Sequence, residues 1–115
     1  PQPVQRPVPI VIGGDTKIAA RRAGRLGDGY FPARGAAPEL FDIVRRTAEE
    51  HGRDPDAIEL TCQLPDDLDE IPALAARGVR RVAVPVSPVA GLPAAISTPD
   101  DVARWAETIE RFADV

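Results

Sequence analysis

Four times in succession along 115 residues, a short run of strand-forming apolar residues is followed by a stretch with helical periodicity. That alternation limits the chain to parallel strands joined by helices, because a strand that re-enters a sheet in the same direction needs a crossover element between passes. The runs fall at residues 8–12, 30–31, 58–64 and 79–86. The predicted fold class is α/β, with four consecutive βα units and parallel strands, half the number that closes a (β/α)8 TIM-type barrel.

The first unit carries the strongest chemical signal. Val8, Ile10, Val11 and Ile12 form a β-branched run that stops at Gly13-Gly14, as expected of a parallel strand buried on both faces. Two adjacent glycines allow a sharp turn and remove the Cβ atoms that would hold a ligand away from the backbone. Asp15 or Thr16 is placed to cap the helix that follows, with Ile18, Ala19, Ala23 and Leu26 inward and Lys17, Arg21, Arg22 and Arg25 outward. Unpaired N–H groups and the positive end of the helix dipole make such a junction a seat for a phosphate. A tight βα turn without a ligand explains the same residues. Gly27 ends the helix and Asp28-Gly29 turns the chain into Tyr30-Phe31.

Beyond that strand, residues 32–37 form a loop at its carboxyl end, where a barrel builds its active face, and Arg34 is the loop's only cation. Arg34 is a candidate anion ligand or a solvated loop arginine. Pro38 suits a first helical turn, and Leu40, Phe41, Val44 and Ala48 recur at helical spacing. His51, the single histidine, closes that helix far from the strand ends and is read as structural. The third run alternates, with Ile58, Leu60, Cys62 and Leu64 toward the helices and Glu59, Thr61 and Gln63 toward a barrel interior. Gln63 near its carboxyl end is placed to reach a substrate, or serves as a hydrogen-bonded interior amide. Cys62 reads as a small buried hydrophobe, with no base or cation beside it to activate it.

A third helix is expected over residues 69–77, with Pro72 in its first turn and Leu68, Ile71, Leu74 and Ala75 inward. Pro85 within the fourth run implies an edge or a bend. Residues 87–97 form an apolar loop long enough to act as a lid or contact surface. Thr98-Pro99-Asp100-Asp101 starts the last helix, whose stripe of Val102, Trp105, Ala106, Ile109 and Phe112 is expected to be buried, with Trp105 in the core.

Composition narrows the function classes. A net charge of −4 with arginines dispersed along helices leaves no basic stripe for nucleic acid. The single cysteine excludes an internal disulfide, and no stretch reads as a membrane span or signal peptide, so a reducing cytoplasm is the expected setting. The chain starts at Pro1 and contains no methionine, which suggests a piece of a larger protein or a truncated paralogue.

The order of motifs is more specific than any one of them. Residues 3–7 (PVQRP), 9–14 (PIVIGG), 19–23 (AARRA) and 27–32 (GDGYFP) together resemble the second half of a luciferase-like monooxygenase domain. More narrowly, they are similar to the actinobacterial type that uses the deazaflavin coenzyme F420 in place of FMN. Gly52-Arg53-Asp54-Pro55, the strand starting at Ile58, Gly78-Val79 and the closing helix follow the same order, so a single partial barrel domain spans residues 1–115.

The resemblance implies an oxidoreductase that moves a hydride between F420 and a small organic substrate, or activates oxygen with FMN. It implies coenzyme contacts at Gly13 and Gly14, with Asp15 and Thr16 as further positions, and anion binding by Arg34 in some members. The chain shows no acid–base pair, triad or metal cluster, so catalysis is expected to need the rest of the barrel. An open four-stranded sheet exposes two edges and its inner face, which calls for the missing N-terminal half or a second copy of the chain. The alternative reading is a non-catalytic half-barrel that self-associates and binds a phosphorylated ligand.

Overall fold

The computed structural model describes residues 2, 4–5, 7–34, 37–86 and 96–115. Strand β1 (Val11–Gly13) is short because Gly14, at φ 121°, turns the chain out of the sheet. Thr16, itself extended, then accepts a hydrogen bond from the Ala19 amide and opens α1 (Lys17–Leu26). Gly27 closes α1, its amide donating to the Ala23 carbonyl at 2.8 Å, and β2 (Gly29–Phe31) begins two residues later. Helix α2 (Pro38–Glu50) carries its proline in the first turn and ends at His51-Gly52, with Gly52 at φ 68°.

A short 3-10 turn, Pro55–Ala57, leads into β3 (Glu59–Gln63). A second one, Leu68–Glu70, runs into α3 (Ile71–Ala76), so the third helix is shorter than its sequence suggests. Strand β4 (Val79–Ala83) follows and stops before Pro85, which lies past the strand end and not within it. The last element, α4 (Pro99–Arg111), opens with a full capping box in which Thr98 and Asp101 satisfy each other's amides. Most of the expected apolar loop, residues 87–95, lies outside the described residues.

All three strand pairings are parallel and the order is β1-β2-β3-β4. Register puts Ile12, Tyr30, Leu60 and Val79 in one row on one face. Against that face pack Ala19, Ala20 and Ala23 of α1, Phe41, Val44 and Ala48 of α2, and Leu74 of α3, in a single core. A register shift beside Leu60 sets Arg81 opposite Thr61, which keeps Arg81 and Ala83 on the other face with Glu59, Thr61 and Gln63. Sequential parallel strands with helices gathered on one side are the staves of a barrel; a doubly wound sheet has helices on both sides and a reversed strand order. Among the described residues no helix is long and apolar enough to cross a membrane.

Burial departs from the sequence pattern in three places. Val8, Ile10 and Val11 are all more than half exposed, because β1 is an edge strand and only the Ile12 side meets helices. In α1, Ile18 and Leu26 point outward, 67% and 58% exposed, while Ala19, Ala20, Ala23 and Gly24 are buried. Small residues face inward because α2 crosses at Gly24, where a Cβ would lie 2.5 Å from the Val44 carbonyl oxygen. In α4 no residue is buried. Val102 and Ile109 are exposed, and Trp105 is half-buried in an open cleft with Ile71, Val82 and Phe112 in place of the expected core position.

Arg53 joins the first two βα units through backbone carbonyls. Its guanidinium donates to the carbonyls of Gly24 and Gly27 at 2.7 Å each, with Ala23 at 3.4 Å, and so satisfies the C-terminal end of α1. Charge-assisted bonds of this kind contribute about 1.5–3 kcal/mol each when half-buried acceptors depend on them. Arg53→Met, which keeps the stem and removes the donors, is expected to lower stability by at least about 3 kcal/mol. Urea unfolding followed by circular dichroism checks this, and a change under about 0.5 kcal/mol would rule it out.

Candidate functional site

Parallel strands present all their carboxyl ends on one rim, and the glycine turn after β1 lies there. Gly13 is exposed, on the inner face of the sheet beside Phe31. A Cβ at Gly13 would meet only the Phe31 carbonyl oxygen, at 3.7 Å, so the space above it is open. Gly14 differs: its φ of 121° suits glycine, and a Cβ would come within 3.1 Å of the Ala19 Cβ. The turn therefore has one glycine that clears space and one that permits the bend.

Two hydrogen bonds hold this turn. The Tyr30 hydroxyl donates to the Gly14 carbonyl at 2.6 Å, and Asp15 Oδ1 accepts from the Arg34 amide at 3.0 Å. The second bond ties the loop after β2 to the loop after β1. Thr16 is occupied as the cap of α1, so its hydroxyl oxygen is committed to the Ala19 amide at 3.1 Å. Asp15, Thr16 and Arg34 are exposed. Among the described residues no carboxylate pairs with the Arg34 guanidinium.

Gly13, Gly14, Asp15, Thr16 and Arg34 thus form one cluster. Gln63 is not in it. It is half-buried on the inner face at the end of β3, two strands away from Gly13, roughly 10 Å across the sheet by ordinary strand spacing. Below it on that face, Glu59 and Arg81 form an ion pair at 3.1 Å. His51 sits at the opposite rim, its Nδ1 2.9 Å from the Thr47 carbonyl, which agrees with a structural role.

Burial holds Tyr30 and Cys62 in their neutral forms. Burial, and then the charge of Asp15, raises the Tyr30 pKa, so its phenol stays a neutral donor. Burial also raises the Cys62 thiol, which is fully enclosed and remains protonated near neutrality. Among the described residues no group of three or more His, Cys, Asp or Glu side chains is arranged to hold a metal ion.

Sequence reasoning did not single out Tyr30. Its signal, an aromatic inside a three-residue strand, is that of any core residue; only the partner carbonyl reveals its second contact.

A continuous parallel sheet, helices on one side and a glycine turn at the carboxyl rim describe one segment of a (β/α) barrel. The chain matches the luciferase-like monooxygenase family over residues 1–114 and belongs to it. It is 30% identical over 110 residues to an F420-dependent glucose-6-phosphate dehydrogenase of Kineococcus radiotolerans, a match covering 91% of this chain and 32% of that protein. Proteins of the same name from Tsukamurella paurometabola and Nakamurella multipartita are 32% and 34% identical over 81 and 68 residues, covering 66% and 55% of this chain and 24% and 20% of theirs. The chain therefore spans a third or less of these curated relatives. Among solved structures, the coenzyme F420 dependent tetrahydromethanopterin reductase of Methanopyrus kandleri is similar at 22% identity and a TM-score of 0.43, covering 55% of this chain and 20% of that one.

Proposed function

We propose that this chain contributes one part of the coenzyme site of an F420-dependent oxidoreductase of the luciferase-like family, acting on a small organic substrate within a complete barrel. The observation that carries the reading is the turn itself: a glycine pair at the carboxyl rim, with Gly14 at φ 121° and its carbonyl tied back to Tyr30, directly before the start of α1. Gly13 and Gly14 bring bare backbone to the coenzyme, and the open space above Gly13 fits that approach. Asp15 and Thr16 shape the entry to α1, whose first amides favour an anionic oxygen. Arg34, exposed beside them, supplies a cation to the same anion, and Gln63 offers an amide to the substrate side. F420, when bound, exchanges a hydride at its deazaflavin ring.

The names of the similar dehydrogenases support F420 over FMN. The remaining barrel covers the outer edges of β1 and β4 and the inner face. A second copy of this chain is the other occupant that the open edges favour, and it goes with the reading of a self-associating module that binds a phosphorylated ligand.

Parallel titrations with F420 and FMN in the intact protein, followed by coenzyme absorbance and fluorescence, test the proposal. Saturable binding of F420 with FMN at least tenfold weaker is the expected result. Preference for FMN would reverse the coenzyme assignment, and binding of inorganic phosphate with neither coenzyme would favour the module.

A further inference from the structure

We propose that Tyr30 is a positioning residue for the coenzyme turn: its hydroxyl sets the orientation of the peptide between Gly14 and Asp15. The inference rests on the reading of that turn as a coenzyme site. Tyr30 is fully buried in the middle of the short β2 strand, its ring edge-to-face with Phe41 at a centroid distance of 6.1 Å. From there the hydroxyl reaches the Gly14 carbonyl at 2.6 Å, sixteen positions earlier in the chain.

In a trans peptide the C=O and N–H point in opposite directions. Holding the Gly14 carbonyl toward Tyr30 therefore turns the Asp15 N–H away from the core. Glycine makes this control necessary. Gly14 already takes φ 121°, and with no Cβ it also has a wide choice of ψ, the angle that sets which way the Gly14–Asp15 peptide faces, so the turn alone does not fix that orientation. Tyr30 removes that freedom on one side. Asp15 Oδ1, bonded to the Arg34 amide at 3.0 Å, removes it on the other. The raised pKa of the buried phenol keeps the hydroxyl protonated, so the anchor persists across the neutral range. An outward Asp15 N–H, next to the opening amides of α1, presents a preset donor to an anionic oxygen of the coenzyme.

Tyr30→Phe in the intact protein tests this, with Phe41→Leu as the control that loosens the ring and keeps the hydroxyl. In the ligand-free protein, amide NMR spectra of Tyr30→Phe are expected to show shifted or exchange-broadened Asp15 and Arg34 signals, with the signals of α2 and β3 in place. F420 affinity is expected to fall about tenfold in Tyr30→Phe and to stay within about twofold in Phe41→Leu, although the latter loses more stability. A purely structural role for Tyr30 predicts the opposite ranking. Wild-type Asp15 and Arg34 signals in Tyr30→Phe, or wild-type F420 affinity, would overturn the inference. If the unmodified protein binds no F420, the coenzyme reading falls, and the amide signals alone still decide whether Tyr30 orients the turn.

Discussion

Gly24→Val is expected to leave the chain without a cooperative unfolding transition at 25 °C, and Gly24→Ala to lower stability by about 2 kcal/mol. Two effects of opposite sign compete at this position. Alanine in a helix interior is favoured over glycine by about 1 kcal/mol, so propensity alone predicts stabilisation. Packing predicts the reverse. A Cβ at Gly24 would sit 2.5 Å from the Val44 carbonyl oxygen, 2.8 Å from the Thr47 Cβ and 3.1 Å from the Ala48 amide nitrogen. Two of these atoms are backbone and the third is a Cβ, so no rotamer change relieves the contact. The two helices must separate, which loosens Ala20, Ala23, Val44 and Ala48 together. Overpacking costs of about 1–3 kcal/mol for one methyl exceed the propensity gain, and valine adds two more carbons to the same gap. Urea unfolding by circular dichroism decides the sign: a more stable Gly24→Ala would mean that the helices part at little cost. Gly52 is a useful contrast, since a Cβ there meets nothing within 4 Å and only its φ of 68° opposes substitution.

The same crossing explains where the sequence was legible and where it was not. Local signals were readable because their causes are local: Thr16 and Thr98 cap helices with their own hydroxyls, Pro38 and Pro99 open them, and Gly14 supplies the positive φ at which β1 ends. The alternation that separates Leu60 and Cys62 from Glu59 and Gln63 follows from pleat geometry, and the structure keeps it. Which side of α1 faces inward was not local. Ile18 and Leu26 have the right spacing for a buried stripe, but close approach of α2 at Gly24 selects the alanine side. Arg53 and Tyr30 were missed for a related reason. Both bind backbone carbonyls from distant segments, and a carbonyl has no residue identity to read. In α4, the stripe was correct as a helix signal and wrong as a burial signal, because Trp105 and Phe112 have only a shallow cleft to enter among the described residues. For the candidate site, Gly13, Gly14, Asp15, Thr16, Arg34 and Gln63 were all candidates from the sequence; the bond from the Arg34 amide to Asp15 Oδ1, which joins the first five into one cluster and leaves Gln63 two strands away, appears only in three dimensions.

The two glycines of the turn are expected to respond differently to the same replacement. Gly13→Val leaves the fold in place, because a Cβ there makes only an ordinary contact at 3.7 Å with the Phe31 carbonyl oxygen and valine suits a strand position. Stability is expected to change by less than about 1 kcal/mol. The new side chain, however, fills the space above the inner face through which the coenzyme would approach the backbone. F420 affinity is expected to fall at least about a hundredfold, near 2.8 kcal/mol of binding free energy. Gly14→Val acts on the turn itself: a β-branched residue at φ 121° is strongly disfavoured, and its Cβ would lie 3.1 Å from the Ala19 Cβ. The turn must rebuild, the Tyr30 anchor loses its carbonyl, and both stability and affinity drop. Paired measurement of unfolding free energy and F420 titration therefore separates contact from scaffold. Affinity lost with stability intact in Gly13→Val places that glycine against the coenzyme. Wild-type affinity in Gly13→Val would remove Gly13 from the site, and with it the main support for a coenzyme at this turn.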